Sequence, residues 1–558
     1  MKLRFPRSLF ALAPIAFIAC LGFCAVAVQI DPGGDLPEYP AGPALTLDEG
    51  FYVEGGIRLA TGLKAWATGA ITWREIFGEK EDLGPKAPLG YYLVDHPPAG
   101  RVWLGLWHEA LPLDVDRPEP EPHVVIAKGR IGSAVAFALL MFLIGAVATR
   151  WYGLIPGVIS ALSLLLMPRV FGHAHLASLE TIMNLTYAAA ILFVARWWRD
   201  DREGTSTPPK FSQVAVAGLV WGIALLTKIQ AVLIGPPVVL WALWHWRGKA
   251  ILPLLVWGGV ALGVFFVGWP LLWFGPLAHT LQYFKNSADR MTLYVWYAGE
   301  RFADTEAPWH YAFVMFLITM PLGILFWGFC GLTGCGTEYK SLRADARLQL
   351  LLAAVIFPMI LFAIPGVAVY DGVRLFLISF PLSAIFAGRG AVFTWRWLCQ
   401  RAGKKFAIPI TLGLVCSPLY GHWATGPLYL NYYSETIGGL RGADHLGMET
   451  NYWGDGLTRD FWNQVVETVP PNSTVHVTPV LHPLQLTFMQ SQLPLLEKRG
   501  ITLKPCIPGE MEDVTYLVKF YRKADLAPPI EQALENNSPT IQIERQGVPL
   551  GEFYQFEP

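Results

Sequence analysis

Charge is what this chain has least of. Only 15% of its 558 residues are Asp, Glu, Lys or Arg and the net charge is -1, so it presents no electrostatic footprint for nucleic acid. Cysteine is scarce as well. The seven residues are scattered, with Cys20, Cys24, Cys330, Cys399 and Cys416 in or beside apolar segments and no CxxC or Cys/His spacing. That argues against a disulfide framework and against a zinc site. Internal repeats are missing too. What abounds is apolar surface: 53% hydrophobic residues and a mean hydropathy of +0.39 exceed what a soluble core can bury, which places the chain in a bilayer.

The first apolar run, ending at Ile30, is too long for the core of a cleaved signal and long enough to span. Further runs near 130–149, 153–167, 176–195, 212–229, 231–246, 251–274, 310–331, 348–366, 374–395 and 405–424 give about eleven expected spans. Basic residues fix their direction. With the N-terminus inside, Arg150, then Arg196, Arg199, Arg202 and Lys210, then Arg247 and Lys249, then Lys340 and Arg343, then Arg396, Arg401, Lys404 and Lys405 all fall in cytoplasmic loops. The expected organisation is therefore a first span (1–30), a long outer loop (31–129), a transmembrane helical domain (130–425) and an outer tail (430–558). Within the outer loop, Val102–Trp107 belongs to an interfacial helix, because the apolar stretch after Pro98 is too short to cross. The tail alternates at 474–478, 515–520 and 540–544 and reads as a small α/β domain.

Polar residues of chemical interest collect on the outer face. Thr46, with Glu49 three residues on, forms a capping-box pattern that starts a helix and gives Glu49 a structural role. Asp48 is then left either for chemistry or to complement the helix dipole. Tyr52 follows one turn later, and Gly55-Gly56 permits close approach of another chain or a ligand. Glu180 lies just inside a helix, where an acid is costly unless it faces a polar cavity. His173 and His175, ahead of it, either join it on a metal or make ordinary hydrogen bonds; no metal is expected. In Asp95-His96-Pro97-Pro98-Ala99-Gly100-Arg101 the prolines fix an extended approach to the interfacial helix, and Arg101 either meets a phosphate or simply begins that helix. Lys228 ends an apolar run, and Tyr370-Asp371-Gly372-Val373-Arg374 is an expected tight turn whose guanidinium snorkels or clamps a phosphodiester. Loop 275–309 and its edge interleave Lys285, Arg290, Arg301 and His310 with Tyr294, Trp296, Tyr297 and Trp309, a pattern for a sugar phosphate or for an interfacial aromatic belt.

In their order, the acidic pair on the first outer loop, the following Pro-Pro segment, a second acid after the third span, Thr227-Lys228 and the Tyr-Asp-Gly-x-Arg turn resemble one family. This is the protein O-mannosyltransferase and aminoarabinose transferase branch of the type C glycosyltransferases, glycosyltransferase family 39, and the resemblance covers roughly residues 44–395. It implies a polytopic α-helical enzyme that moves a sugar from a polyprenyl-phosphate carrier, at the outer side of the cell membrane, to a protein, glycan or lipid acceptor. Asp48 matches the family's first-loop catalytic acid, and Glu180 stands where the second acid is found. Lys228 and Arg374 lie where cations near the carrier phosphate are expected, with Arg101, Arg290 and Arg301 as further phosphate contacts. Glu49, Tyr52, His96, His173, His175, His310 and Asp371 complete the candidate substrate contacts. His96 departs from the pattern, since aminoarabinose transferases have a lysine before the proline. Tyr452-Trp453-Gly454-Asp455-Gly456 is faintly like the acceptor motif of oligosaccharyltransferases, but its residue order differs. One carboxylate base without a covalent intermediate predicts inversion and needs no cofactor. The competing functions are a transporter or flippase for a lipid-linked sugar and a non-catalytic envelope glycan assembly protein.

Overall fold

A computed structural model describes residues 12–32, 42–46, 48–78, 94–112, 124–197, 208–288, 291–334, 340–509 and 511–556. The apolar runs fold as helices, among them Ala13–Ala27, Ile126–Tyr152, Leu154–Leu165, Leu179–Ala195, Phe211–Leu225, Ile251–Gly268, Ala346–Leu361, Ser379–Arg401 and Lys404–Thr425. Their breaks have local causes. Gly153 takes φ 100 between two of them, Pro168 opens the short helix Pro168–Ala174, and Pro321 separates Tyr311–Ile318 from Leu322–Thr333, which are bent by 112°. Among the described residues, Ile126–Tyr152 and the helical stretch Ile229–Gly268 are long and apolar enough to cross a membrane, or up to four spans if each bent pair is one. The expected count of eleven is not established by these lengths.

The segment expected to be interfacial folds as the helix Pro98–Ala110, with proline in the first turn, where no helical N–H is lost. It packs on the helix Glu49–Ala67 through Gly56 and Gly105, each so close to the other's backbone that a Cβ would collide. The approach that Gly55-Gly56 permits is thus used by this neighbouring helix. The start of Glu49–Ala67 is pinned by charge. Glu49 is fully buried, and its two oxygens accept from Arg130 Nε at 2.8 Å, Arg130 Nη2 at 2.7 Å, the Ala177 N–H at 2.6 Å and the Thr46 N–H at 2.8 Å. Arg130 also donates to the Pro43 and Ala44 carbonyls. This corrects the capping expectation. Asp48, not Thr46, is the N-cap and makes no side-chain cap, while the Thr46 hydroxyl donates to Glu49, whose carboxylate is drawn to Arg130.

Strands β1 (Tyr294–Tyr297) and β2 (Glu300–Ala303) form an antiparallel ribbon that the alternation had not revealed. The tail carries β3 (Thr474–Thr478), β4 (Thr502–Pro505), β5 (Tyr516–Phe520), β6 (Ile541–Arg545) and β7 (Val548–Gln555) in one sheet of order β4-β3-β5-β7-β6. The β3–β4 and β3–β5 pairs are parallel; β5–β7 and β6–β7 are antiparallel. Three strands fall where they were expected; β4 and β7 are additional. Trp453, Phe461, Trp462, Val475, Phe520 and Phe553 share a core with Leu176 and Leu430, so the sheet unit is packed onto the helical body.

Because Arg130 neutralises a carboxylate with no exposure, removing it leaves an uncompensated buried charge. Arg130→Ala is expected to cost about 3–5 kcal/mol, measurable as a lower unfolding midpoint of the detergent-solubilised protein.

Candidate active site

Four remote segments converge on Arg374. It opens the short 3-10 helix Arg374–Phe376, after a turn in which Asp371 takes φ 56 and Gly372 φ 61. A left-handed Asp followed by Gly reverses the chain abruptly and aims the guanidinium back into the protein. Arg374 Nη2 donates to Asp48 Oδ2 at 2.5 Å and to the Tyr52 hydroxyl at 3.1 Å, Nε to Glu180 Oε1 at 2.7 Å, and Nη1 to Asp371 Oδ2 at 2.8 Å. The indole of Trp453 covers its face at 4.2 Å. Lys228 leaves the helix Phe211–Leu225 in an extended conformation and reaches the same Glu180 oxygen at 2.5 Å. Asp48 and Glu180 each sit at the start of a helix, where the dipole favours a carboxylate.

A second layer holds the turn. Asp371 Oδ1 accepts from Arg522 Nη1 at 2.9 Å, and Arg522 also donates to the Tyr452 carbonyl and to Asp525. The tail therefore grips the turn that aims Arg374. In this network the carboxylates of Asp48, Glu180, Asp371 and Asp525 outnumber the cations Lys228, Arg374 and Arg522. Among the described residues it has no surplus positive charge.

The other residues singled out from sequence divide into neighbours and outliers. Tyr52 lies 3.3 Å from His96 Nε2, and Arg101, bound to Asp95 at 2.7 Å, stands 5.8 Å from the Tyr52 ring. Burial pushes the His96 imidazole down to about 3, so it is neutral. His173 Nε2 is 3.3 Å from the Tyr452 hydroxyl and its ring meets Trp453, which backs Arg374. His175 turns elsewhere, to the Phe171 carbonyl and the Tyr429 ring. The two histidines thus do not converge with Glu180, and no group of three or more metal-ligating side chains is found among the described residues. Arg301 is a correction: it donates to the Ala524 carbonyl and stacks on Tyr294, which ties the ribbon to the tail and keeps it out of the cluster. His310 bonds the Tyr297 hydroxyl in the same ribbon, and Glu49 is consumed by Arg130. Arg290 lies outside the described residues.

Sequence reasoning missed Arg522, which has no local pattern. It noticed Trp453 within Tyr452–Gly456 but weighed that segment only as an acceptor motif, whereas here it walls the site.

Residues 123–274 match the family model described as dolichyl-phosphate-mannose-protein mannosyltransferase, a segment that includes Glu180 and Lys228. The resemblance to glycosyltransferase family 39 is shown by that match. Among solved structures, the chain is similar to ArnT from Cupriavidus metallidurans bound to undecaprenyl phosphate, at 13% identity over 97% of each chain with a TM-score of 0.46. It is also similar to the oligosaccharyltransferase AglB from Archaeoglobus fulgidus, at 13% identity over 92% of this chain and 70% of that one, TM-score 0.47. The Pmt1-Pmt2 complex of S. cerevisiae bound to the sugar donor aligns at 13% identity over 52% and 39%, TM-score 0.33. No curated protein matches the chain.

Beside Arg522, burial pushes the Glu449 carboxyl from 4.5 up to about 8, although Oε1 accepts the Ala524 N–H at 3.2 Å. The fold keeps this group protonated while the unfolded chain ionises it. Its contribution is therefore complete below pH 4.5 and is lost as pH rises to about 8. Glu449→Gln should raise the unfolding midpoint, by more at pH 8 than at pH 5, in thermal scans of the purified protein.

Proposed function

We propose that the protein is an integral-membrane, inverting glycosyltransferase that moves a sugar from a polyprenyl-phosphate carrier to an acceptor on the non-cytoplasmic face. The observation that carries this reading is the meeting of Asp48, Glu180, Lys228 and Arg374 at one point, from segments far apart in the chain. The match to a dolichyl-phosphate-mannose mannosyltransferase family model supports it. The loop charges support a cytoplasmic N-terminus and an outer tail.

In the mechanism we propose, the donor is what arms the base. With no cationic surplus, the site binds an anionic phosphate by exchanging one carboxylate for it. Asp48 is the partner that gives way: its side chain is 31% exposed, against 2% for Glu180 and 3% for Asp371. The phosphate takes its place on Arg374 Nη2 and pairs with Lys228. Asp48, released, accepts the proton of the acceptor hydroxyl as that oxygen bonds to the anomeric carbon. The carbon–oxygen bond to the phosphate breaks on the opposite face, and its electron pair leaves with the polyprenyl phosphate, where Lys228 and Arg374 meet the growing charge. Glu180 holds both cations in position. Positive charge comes from side chains in this scheme, so it calls for no metal.

Asp48→Asn is expected to slow consumption of the lipid-linked sugar in isolated membranes by about 10²–10⁴-fold, the usual contribution of a general base; a near wild-type rate removes Asp48 from this role. Arg522→Ala, which frees the Asp371 turn without touching substrate, is expected to slow the same reaction by roughly 100-fold, as misplacement of a positioned group does. Arg522→Lys restores one donor and should recover part of the loss.

A further inference from the structure

Glu180 uses only one oxygen on the cations. Lys228 and Arg374 both bind Oε1, while Oε2 is buried and has no hydrogen-bond partner among the described residues. One turn along the same helical face, Asn184 is 1% exposed and neither end of its amide has a hydrogen-bond partner among the described residues. Gln230, just beyond Lys228, is 7% exposed, and its Oε1 likewise has no partner among the described residues. These groups line one small cavity with Lys228, Arg374 and Leu377, about 10 Å³ in volume. That is room for a single water-sized group.

The unmatched atoms define what fits. Glu180 Oε2, Asn184 Oδ1 and Gln230 Oε1 are acceptors, and Asn184 Nδ2 is a donor. Since both ends of Asn184 are unpartnered, turning its amide over does not alter the count. A phosphate oxygen, which only accepts, would face the free carboxylate oxygen and leave the acceptors unmet. A hydroxyl both donates and accepts in the space of one water. Buried polar groups in native proteins are rarely left unmatched, which makes three on one cavity wall a marker of a ligand or of water.

We infer that this cavity receives one hydroxyl of the donor sugar, and that Asn184 and Gln230, with the second oxygen of Glu180, select the sugar. The inference rests on the glycosyltransferase reading and adds to it a specificity pocket one turn deeper than the charged cluster. A site built to hydrogen-bond a hydroxyl discriminates strongly against the analogue lacking it, because its own polar groups then go unpaired.

The test uses the polyprenyl-phosphate sugar that accumulates in cells lacking this protein, with its synthetic monodeoxy analogues, titrated against the purified full-length protein. One monodeoxy analogue should bind wild type at least about tenfold more weakly than the parent lipid. Asn184→Leu should lose a similar factor for the parent and no longer distinguish the two. Equal binding of every monodeoxy analogue to wild type overturns the inference and leaves a structural water in the cavity, whether or not Asn184→Leu folds. If no polyprenyl-phosphate sugar accumulates or binds, the glycosyltransferase reading itself fails.

Discussion

The guanidinium of Arg374 touches Asp48, Tyr52, Glu180, Asp371 and Trp453, so its position decides whether the site exists at all. A planar fork with five donors is the side chain best suited to that task, since it can hold several carboxylates in fixed directions at once. The cost is electrostatic: so many carboxylates on one cation leave nothing over for an incoming anion. In the proposed mechanism that constraint makes phosphate binding an exchange.

The rest of the structure supports this one group from two sides. From the first loop, the Glu49–Arg130 pair and the Gly56–Gly105 contact fix where the helix Glu49–Ala67 begins, and with it Asp48 and Tyr52. From the tail, Arg522 holds Asp371 while Trp453 covers the guanidinium face. The sheet unit is therefore part of the site's scaffold. Adjacent acids in the sequence end with opposite fates: each meets a buried arginine, but Glu49 is fully enclosed on Arg130 while Asp48, on Arg374, stays partly exposed.

Much of this was legible in advance where the signal is local. Apolar runs located the helices, the prolines at 97 and 98 marked an extended entry to the helix Pro98–Ala110, the Asp371-Gly372 turn marked a chain reversal, and the acid-cation order brought forward Asp48, Glu180, Lys228 and Arg374. What stayed hidden depends on tertiary contact. Nothing near Arg522 in sequence points to Asp371, and Arg301 has the same aromatic surroundings that a substrate contact would have, yet it serves the ribbon–tail junction. Asn184 carried a readable sign, its four-residue spacing from Glu180, whose meaning appears only when Gln230 closes the same cavity. The capping pattern at Thr46 misplaced the helix start: the Glu49 carboxylate still accepts the Thr46 N–H but is anchored on a buried Arg130, more than eighty residues away, and the helix begins at Glu49 itself.

In the proposed mechanism Asp48 and the donor phosphate compete for Arg374, and the affinity of undecaprenyl phosphate for wild type and for Asp48→Asn, both in lipid nanodiscs, measures that competition. Competition predicts tighter binding by the variant, since the amide no longer holds Arg374 Nη2 as a carboxylate does. Equal or weaker binding by Asp48→Asn would contradict it.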